Sequence, residues 1–480
     1  MGALDRVDAT VGNGVEALVR AHHRRRLRRL GWTKAFEPWP TLWADGDPPP
    51  RAGNEIAIDV DGATLLPRLA SELERATSHV EIAGWYLSSE LALSRGDGRR
   101  SVLLDLLSEL ARRVEVRVLL WAGAPLPLFR PSRRDVREVA KRLRAVGVRV
   151  ALDAKERPLH CHHEKLVVID DQVATVGGID LTTFAGDRFD STAHPLRTAI
   201  GWHDAAAVLR GPIVSDVADH IRLRWEAVTG ERLPARSAPV AAGAHELQLV
   251  QTIPERVYPA RHRGQFRILE AYVRALLAAE RLIYLESQFL WSPELVEILV
   301  DKLKRPPSDE FRLVAVLPSR PDSGNDDNRG QLGRLIEADA GADRFLACTL
   351  YSRDGARAAA VYVHAKIGIV DDRWLTLGSA NLNEHSLFND TEVNVVSCEP
   401  SLARETRVRL WAEHLELPRE AVADEDPVRL VDDRWRPIAH EQLERRRRGE
   451  PLTHRLVKLP AVSRRTRRLL GPLQGLVVDG

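Results

Sequence analysis

Two stretches of this chain match position for position, and that match constrains the fold more than any other feature. Residues 160–180 read HCHHEKLVVIDDQVATVGGID, and residues 363–381 read VHAKIGIVDDRWLTLGSAN. His163, Lys165, Asp170, Gly177 and Asp180 align with His364, Lys366, Asp371, Gly378 and Asn381 at identical spacings. Each apolar run, LVVID and IGIVD, predicts a buried strand, and DDQ or DDR predicts the turn into a second strand. Side chains two apart on a strand share a face, so each histidine sits beside its lysine. One supersecondary unit is therefore used twice, and the chain is built as two related halves.

The other elements agree. ATLLPRLASELERA, LLDLLSELARR and RDVREVAKRLRAVG alternate with HVEIAGWYL, VEVRVLLWAG and VRVALDA before the first motif. GQFRILEAYVRALLAAE, SPELVEILVDKLKR, RLIYLESQFL and FRLVAVLPS repeat that scheme before the second. Helices alternating with strands predict crossover units and a mostly parallel sheet covered by helices, an α/β class. The expected divisions are 1–53, a basic helix and Trp-rich linker; 54–232 and 233–415, the two halves; and 416–480, a C-terminal basic appendage. The boundary between the halves falls in the Pro- and Ala-rich stretch 230–244.

Composition narrows the function classes. With 480 residues, 44% hydrophobic and 29% charged, the chain is globular. A net charge of +2 does not indicate a globally basic nucleic-acid binder. Cys161, Cys348 and Cys398 form no disulfide framework or paired-cysteine metal motif, which fits a cytoplasmic protein. The N-terminus reads as neither a secretory signal nor a myristoylation motif, and no eighteen-residue apolar span is present. The expectation is a cytoplasmic protein, with peripheral contact at the inner membrane face as an extension. That extension rests on HHRRRLRRL followed by Trp32, Trp39 and Trp43, since basic residues attract anionic headgroups and Trp favours the interface. Solvated helix faces are the plainer reading of this segment and of LERRRRGE.

The first stretch alone admits a metal site, a packed strand with a charged flank, or half of an active site. Two facing His–Lys pairs favour the last. One unprotonated imidazole can attack an electrophile while the other donates a proton to a leaving group. Two lysines supply fixed positive charge for a phosphoryl group, and attack by histidine would give a covalent phosphohistidine. Gly177, Gly178 and Gly378 would let backbone approach the phosphate, with Ser379 and Asn381 as hydrogen-bonding partners. This logic requires no metal or cofactor. His160, His162 and His163 as zinc ligands lack a matching carboxylate or cysteine set.

HxKxxxxD followed by GG or GS, present twice, resembles the phospholipase D superfamily. The likeness covers roughly residues 54–415 and is closest in pattern to phospholipase D proper, with cardiolipin synthases as relatives. GGIDLTTFAGDRFD, the segment from WHD onward, IYLESQFL and NDTEVNVV also resemble motifs of that family. The resemblance implies two tandem α/β sandwich halves forming a pseudo-dimer, with one active site at their interface. It implies a ping-pong phosphodiesterase or transphosphatidylase acting on glycerophospholipids, with no cofactor and no stable nucleic-acid partner, complete as a monomer. His163 becomes the nucleophile, His364 the general acid/base, and Lys165 and Lys366 the phosphate ligands. Asp204 and Glu392 orient the histidines, and Gln288 joins the substrate contacts. Asp170 and Asp371 are carried with the catalytic set, with bracing of the motif strands as their other reading. Asp180 stands where the second half has Asn381, so a carboxylate would face the phosphate unless it is paired. Lipid transfer as in cardiolipin synthesis is the first rival, a nuclease the second, and a non-catalytic lipid-binding protein the third.

Overall fold

A computed structural model describes residues 3–95, 101–125, 129–158, 160–234, 239–320 and 325–460. Residues 235–238 of the expected boundary stretch and the chain after 460 lie outside the described residues. The first half contains β1 (Arg51–Val60), α2 (Gly62–Glu74), β2 (His79–Gly84), α3 (Leu103–Ala111), β3 (Glu115–Trp121), α4 (Arg133–Ala145), β4 (Arg149–Asp153), β5 (Lys165–Ile169), β6 (Val173–Gly177), β7 (Ala205–Arg210) and α5 (Ile213–Thr229). They follow α1 (Ala3–Leu30). The second half runs β8 (His245–Ile253), α6 (Arg267–Ala278), β9 (Leu282–Glu286), α7 (Pro293–Lys304), β10 (Arg312–Val316), α8 (Asn325–Asp339), β11 (Phe345–Asp354), β12 (Ile367–Val370), β13 (Trp374–Gly378), β14 (Glu392–Ser397) and α9 (Pro400–Leu415).

Strand order in the first half is β4-β3-β2-β5-β6-β7-β1. In the second it is β11-β10-β9-β12-β13-β14-β8, the same order of equivalent strands. The duplication seen in the motifs thus extends to the whole topology. β1 and β8 pair antiparallel, Arg51 with Leu247 and Asn54 with His245, joining the two sheets at their edges.

The expectation of a mostly parallel sheet needs correction. In each half only β2–β3–β4 or β9–β10–β11 is parallel, and the remaining pairings are antiparallel. The physical reason lies at the motif. Asp170 and Asp171 hold φ of 54° and 55°, and Asp371 and Asp372 hold 52° and 49°. Left-handed geometry at two successive residues makes a tight hairpin turn that matches strand twist. Each motif strand therefore folds straight back rather than crossing over through a helix.

Three apolar layers result. Leu66, Leu69, Leu107, Val118 and Val139 pack α2–α4 against the first sheet. Leu269, Leu276, Leu295, Leu313 and Leu335 do the same for α6–α8 and the second. Between the sheets, α5 and α9 contribute Val214, Val217, Leu410 and Trp411 to one cluster with Val168, Val176, Ile367 and Leu377. That shared core is what holds the halves in fixed relation.

The terminal segments are integrated more closely than composition suggests. Leu430, Val431 and Trp435 are fully buried in the central cluster. Leu456–Lys458 pairs antiparallel with β11 at Cys348, Thr349 and Leu350. Residues 416–460 are therefore packed against the second half rather than appended to it, although Arg445, Arg446 and Arg447 do end a partly solvated helix, α10 (Arg436–Arg447). At the other end, Leu27 is fully buried and Arg26 bonds Glu255 and Asn389. Trp32 meets Phe266 edge-on and Trp43 packs on the second-half core, leaving Trp39 as the exposed tryptophan of the three, at 39%. The three tryptophans therefore differ in exposure, with Trp32 and Trp43 half-buried and Trp39 exposed.

Candidate active site

The two motif histidines enter the interface by equivalent backbone contacts. His163 N donates to Thr391 O at 2.9 Å, and His364 N donates to His203 O at 2.8 Å. Short parallel pairing of Trp202–His203 with Tyr362–Val363 and of His162 with Thr391 completes the pattern. Each histidine is therefore threaded against the half that does not carry it.

The carboxylates cross in the same way. His163 Nδ1 lies 3.0 Å from Glu392 Oε1, and His364 Nδ1 lies 2.6 Å from Asp204 Oδ2. Glu392 also accepts from Ser379 Oγ at 2.5 Å and Ser386 Oγ at 2.6 Å. A carboxylate on Nδ1 fixes the ring and directs Nε2 away from it. All four side chains are buried, with His163 at 4% and His364 at 3% exposure. Burial pushes the Glu392 carboxyl up to about 8 and the Asp204 carboxyl up to about 7. Burial, reinforced by the Lys366, Arg188 and Lys165 cations, holds His364 well below the usual imidazole range. Lys366 itself is lowered to about 7, by burial against the pull of Asp204.

Lys165 Nζ donates to His163 O at 2.6 Å, and Lys366 Nζ donates to His364 O. Asp180 Oδ1 lies 3.4 Å from Lys165 Nζ, so its charge is balanced inside the protein. Ser379 bonds Glu392 and thus reaches the site through that carboxylate. Asn381 Nδ2 donates to Gln288 Oε1 at 3.3 Å, and Gln288 Nε2 donates to Tyr362 OH at 2.8 Å. Gln288 and Asn381 form one small network beside the second motif.

Two groups of expected residues, the motif aspartates and the glycines, sit differently from their first description. Asp170 and Asp371 lie at the far ends of β5 and β12, about 16 Å of strand from the lysines. Asp170 accepts from the backbone N–H groups of Thr77, Ser78 and His79, and Asp371 from those of Glu280, Arg281 and Leu282. They brace the turns before β2 and β9, which is the second reading given for them and replaces the catalytic one. Gly177 and Gly178 are small because of protein neighbours. A Cβ at Gly177 would fall 2.4 Å from Ala206 Cα, and one at Gly178 2.2 Å from Asp204 Oδ1. At Gly378 the obstacle is Asn394 Oδ1, at 2.2 Å. His160, His162 and His163 diverge toward Asp390, Asp153 and Glu392 respectively, so they do not converge on one ion.

The sequence reading missed Ser386, Arg188, Trp202 and Tyr362. Trp202 packs on His364 with ring centroids 4.4 Å apart, and the buried Arg188 guanidinium lies over Trp202. Trp202 stands immediately before His203 and Asp204, so the WHD triplet carried that signal. Arg188 lies in the irregular GGIDLTTFAGDRFD segment and Ser386 in a single π-helical turn, His385–Asn389, and neither has a periodic pattern to mark it.

A family model described as Phospholipase D matches residues 345–450. Phospholipase D A of Dictyostelium discoideum is 26% identical over 77% of this chain and 36% of its own length. Phospholipase D2 of Bos taurus is 24% identical over 75% of this chain and 51% of its own. A cardiolipin synthase of Oceanobacillus iheyensis is 25% identical, covering 71% and 64%. The chain thus spans about a third to a half of the length of these phospholipase D relatives. The solved structure of phosphatidylserine synthase from Haemophilus influenzae has the same fold, with a TM-score of 0.50 at 13% identity over 80% of this chain and 89% of that one. With its two crossed histidine–carboxylate pairs and these relatives, the chain is similar to members of the phospholipase D superfamily.

Proposed function

We propose that this protein cleaves the headgroup phosphodiester of glycerophospholipids and transfers the phosphatidyl group to water or another alcohol. The observation that carries this reading is the pair of buried imidazoles, each held through Nδ1 by a carboxylate of the opposite half. In the first step the lone pair on His163 Nε2 attacks phosphorus. The P–O bond to the headgroup breaks, and the departing alkoxide oxygen takes a proton from His364 Nε2. In the second step His364 removes a proton from water or an acceptor alcohol. That oxygen attacks phosphorus, the P–N bond breaks, and its electron pair returns to His163. Lys165 and Lys366 balance the nonbridging oxygens, where negative charge accumulates in the transition state.

Burial and the neighbouring Lys366, Arg188 and Lys165 cations disfavour the protonated form of His364. Entry of an anionic phosphodiester counters those cations, which lets His364 take up the proton that it must deliver. A lipid alcohol as acceptor is the second reading, favoured by the relative named cardiolipin synthase.

The test is incubation with mixed phospholipid vesicles, with and without a primary alcohol, followed by mass spectrometry. Phosphatidic acid and phosphatidyl-alcohol are expected, and both vanish in His163→Asn. Cardiolipin formed from phosphatidylglycerol alone would favour the second reading. No lipid product from any headgroup would remove phospholipids as the substrate.

A further inference from the structure

Behind Asp204, away from the reacting histidines, lies a second cluster that the proposed chemistry does not use. His194 Nε2 is 3.1 Å from Glu413 Oε1 and 3.7 Å from Asp61 Oδ2. His203 Nδ1 is 3.3 Å from Asp61 Oδ1 and 3.3 Å from Glu413 Oε1. Four donor groups from four separate segments thus converge: the β1–α2 junction, the loop before Trp202, His203 itself and the last turn of α9.

We propose that Asp61, His194, His203 and Glu413 form a tetrahedral site for a divalent first-row cation, zinc by its geometry. Ligands at about 2.0–2.1 Å from zinc, set tetrahedrally, are separated by about 3.3 Å. The His194–Glu413, His203–Asp61 and His203–Glu413 distances lie within about 0.2 Å of that edge, and the His194–Asp61 Oδ2 distance is longer. Hydrogen bonding accounts for the arrangement less well. His194 Nε2 shares a hydrogen bond with Glu413 Oε1, but His203 Nδ1 is buried and stands 3.3 Å from a carboxylate oxygen of Asp61 and of Glu413 without a well-directed bond to either. Asp61 Oδ2 and Glu413 Oε2 are likewise buried without a hydrogen-bond partner.

The outer contacts also have the form of a metal centre. A metal-bound imidazole commonly donates its other ring N–H to a carboxylate, which sets its tautomer. His194 Nδ1 lies 3.1 Å from Asp190 Oδ2, and His203 Nε2 lies 2.9 Å from Glu286 Oε2. Glu286 is held in turn by His414 Nε2 at 3.0 Å and by Tyr284 OH, and Asp190 by Arg197 Nε at 3.2 Å. Asp61 Oδ1 accepts from Asp204 N at 3.0 Å, fixing a ligand and the active-site backbone together. Two of the four residues also hold left-handed backbone, Asp61 at φ 63° and His194 at φ 42°. Four buried carboxylates here, Asp61, Asp190, Glu286 and Glu413, give a divalent ion charge to neutralise. Bound there, the ion would clamp α9 of the second half to the segment that carries Asp204. It stands outside the phosphoryl-transfer steps.

The measurement is metal analysis of untagged protein expressed in zinc-supplemented medium, with X-ray absorption at the metal edge. About one zinc per chain is expected, with only nitrogen and oxygen ligands at about 2.0 Å. His194→Asn combined with Glu413→Gln should drop the content below about a tenth, while the exposed His440→Ala retains it. Asp190→Asn, which leaves the four ligands in place, should weaken zinc affinity by about 10–100-fold against a competing chromophoric chelator. Wild-type protein carrying under about a tenth of an equivalent of any divalent ion, and taking up none on titration, would overturn the proposal. So would a sulfur ligand in the absorption spectrum.

Discussion

Replacing Asp170 with alanine separates bracing from catalysis more sharply than any other substitution. Its carboxylate accepts from Thr77 N at 2.7 Å, Ser78 N at 2.7 Å, His79 N at 2.9 Å and Thr77 Oγ1 at 2.9 Å. Three backbone bonds to an ionised acceptor at a half-buried turn, each contributing about 1 kcal/mol net, sum to about 3 kcal/mol. For a unit of this size that lowers the melting temperature by roughly 6–12 °C. Burial opposes ionisation of Asp170, but the three N–H bonds win and hold its carboxyl below the ordinary value. A folded-state value below the unfolded one means the stabilisation is present above about pH 3.9 and is lost as pH falls through the folded value. The gap between wild type and variant should therefore close in acid. Thermal melts followed by circular dichroism at several pH values measure this, with turnover assayed well below either melting point. Turnover per folded molecule should be unchanged. A loss beyond about 100-fold with an unchanged melting temperature would refute the bracing argument and return Asp170 to the catalytic set.

Other substitutions test the remaining placements. Glu392→Gln keeps the shape but removes an ionisable carboxyl 3.0 Å from His163 Nδ1, one that burial holds up at about 8 and that an imidazolium would draw into its charged form. At an effective dielectric near 20 a full charge at that distance would be worth about 5.5 kcal/mol to an imidazolium, and the raised carboxyl and Lys165 offset part of it, so kcat should fall by roughly 10²–10³ with little change in melting temperature. Full activity would remove the positioning role. Gly177→Ala drives a methyl to 2.4 Å from Ala206 Cα and should lower stability by about 1–3 kcal/mol in chemical denaturation, whether or not substrate is present. Trp435→Ala, in the segment beyond 415, should cost about 3–5 kcal/mol because the ring is fully buried against Tyr284 and Trp411. An unaltered melt would make that segment an appendage after all.

The pattern of success and failure in reading the sequence follows from what each signal depends on. The motif strands were legible because Val167, Val168, Ile367 and Ile369 must be buried, and periodicity reports burial directly. The histidine partners Asp204 and Glu392 were legible only through family likeness, since they lie 160 and 229 residues from the imidazoles they hold. Sheet polarity was misread because alternating helices and strands dominate the first part of each half. The antiparallel return is set by only two aspartates with positive φ. Glycine was assigned to the phosphate when its neighbour was the next strand, because spacing says that a side chain is excluded but not by what. Asp61, His194, His203 and Glu413 share no spacing at all. Convergence of four segments is a property of the fold, and composition counts them as ordinary polar residues.

Crossing of the carboxylates explains why the two halves must stay in register. If each histidine were oriented by its own half, the halves could shift by an ångström and each pair would survive. Here His163 is anchored to Thr391 and Glu392, while His364 is anchored to His203 and Asp204, so any such shift breaks both pairs together. Near-attack geometry tolerates errors of only about an ångström, so rigidity between the halves becomes a catalytic requirement rather than a by-product of packing. The interface is built accordingly, with α5 and α9 buried between the sheets and Trp435 packed edge-on against Trp411 of α9. The Glu413 carboxylate, on that same helix, reaches back to His203 beside Asp204. A perturbation of α9 should therefore register at His364 before it registers at His163, because the contact runs through the first-half strand that orients His364. Amide exchange at His203 and Asp204, compared with Thr391 and Glu392 in a Trp411→Phe variant, would show it. Faster exchange at 203–204 alone is expected, and equal acceleration at both pairs would contradict this route.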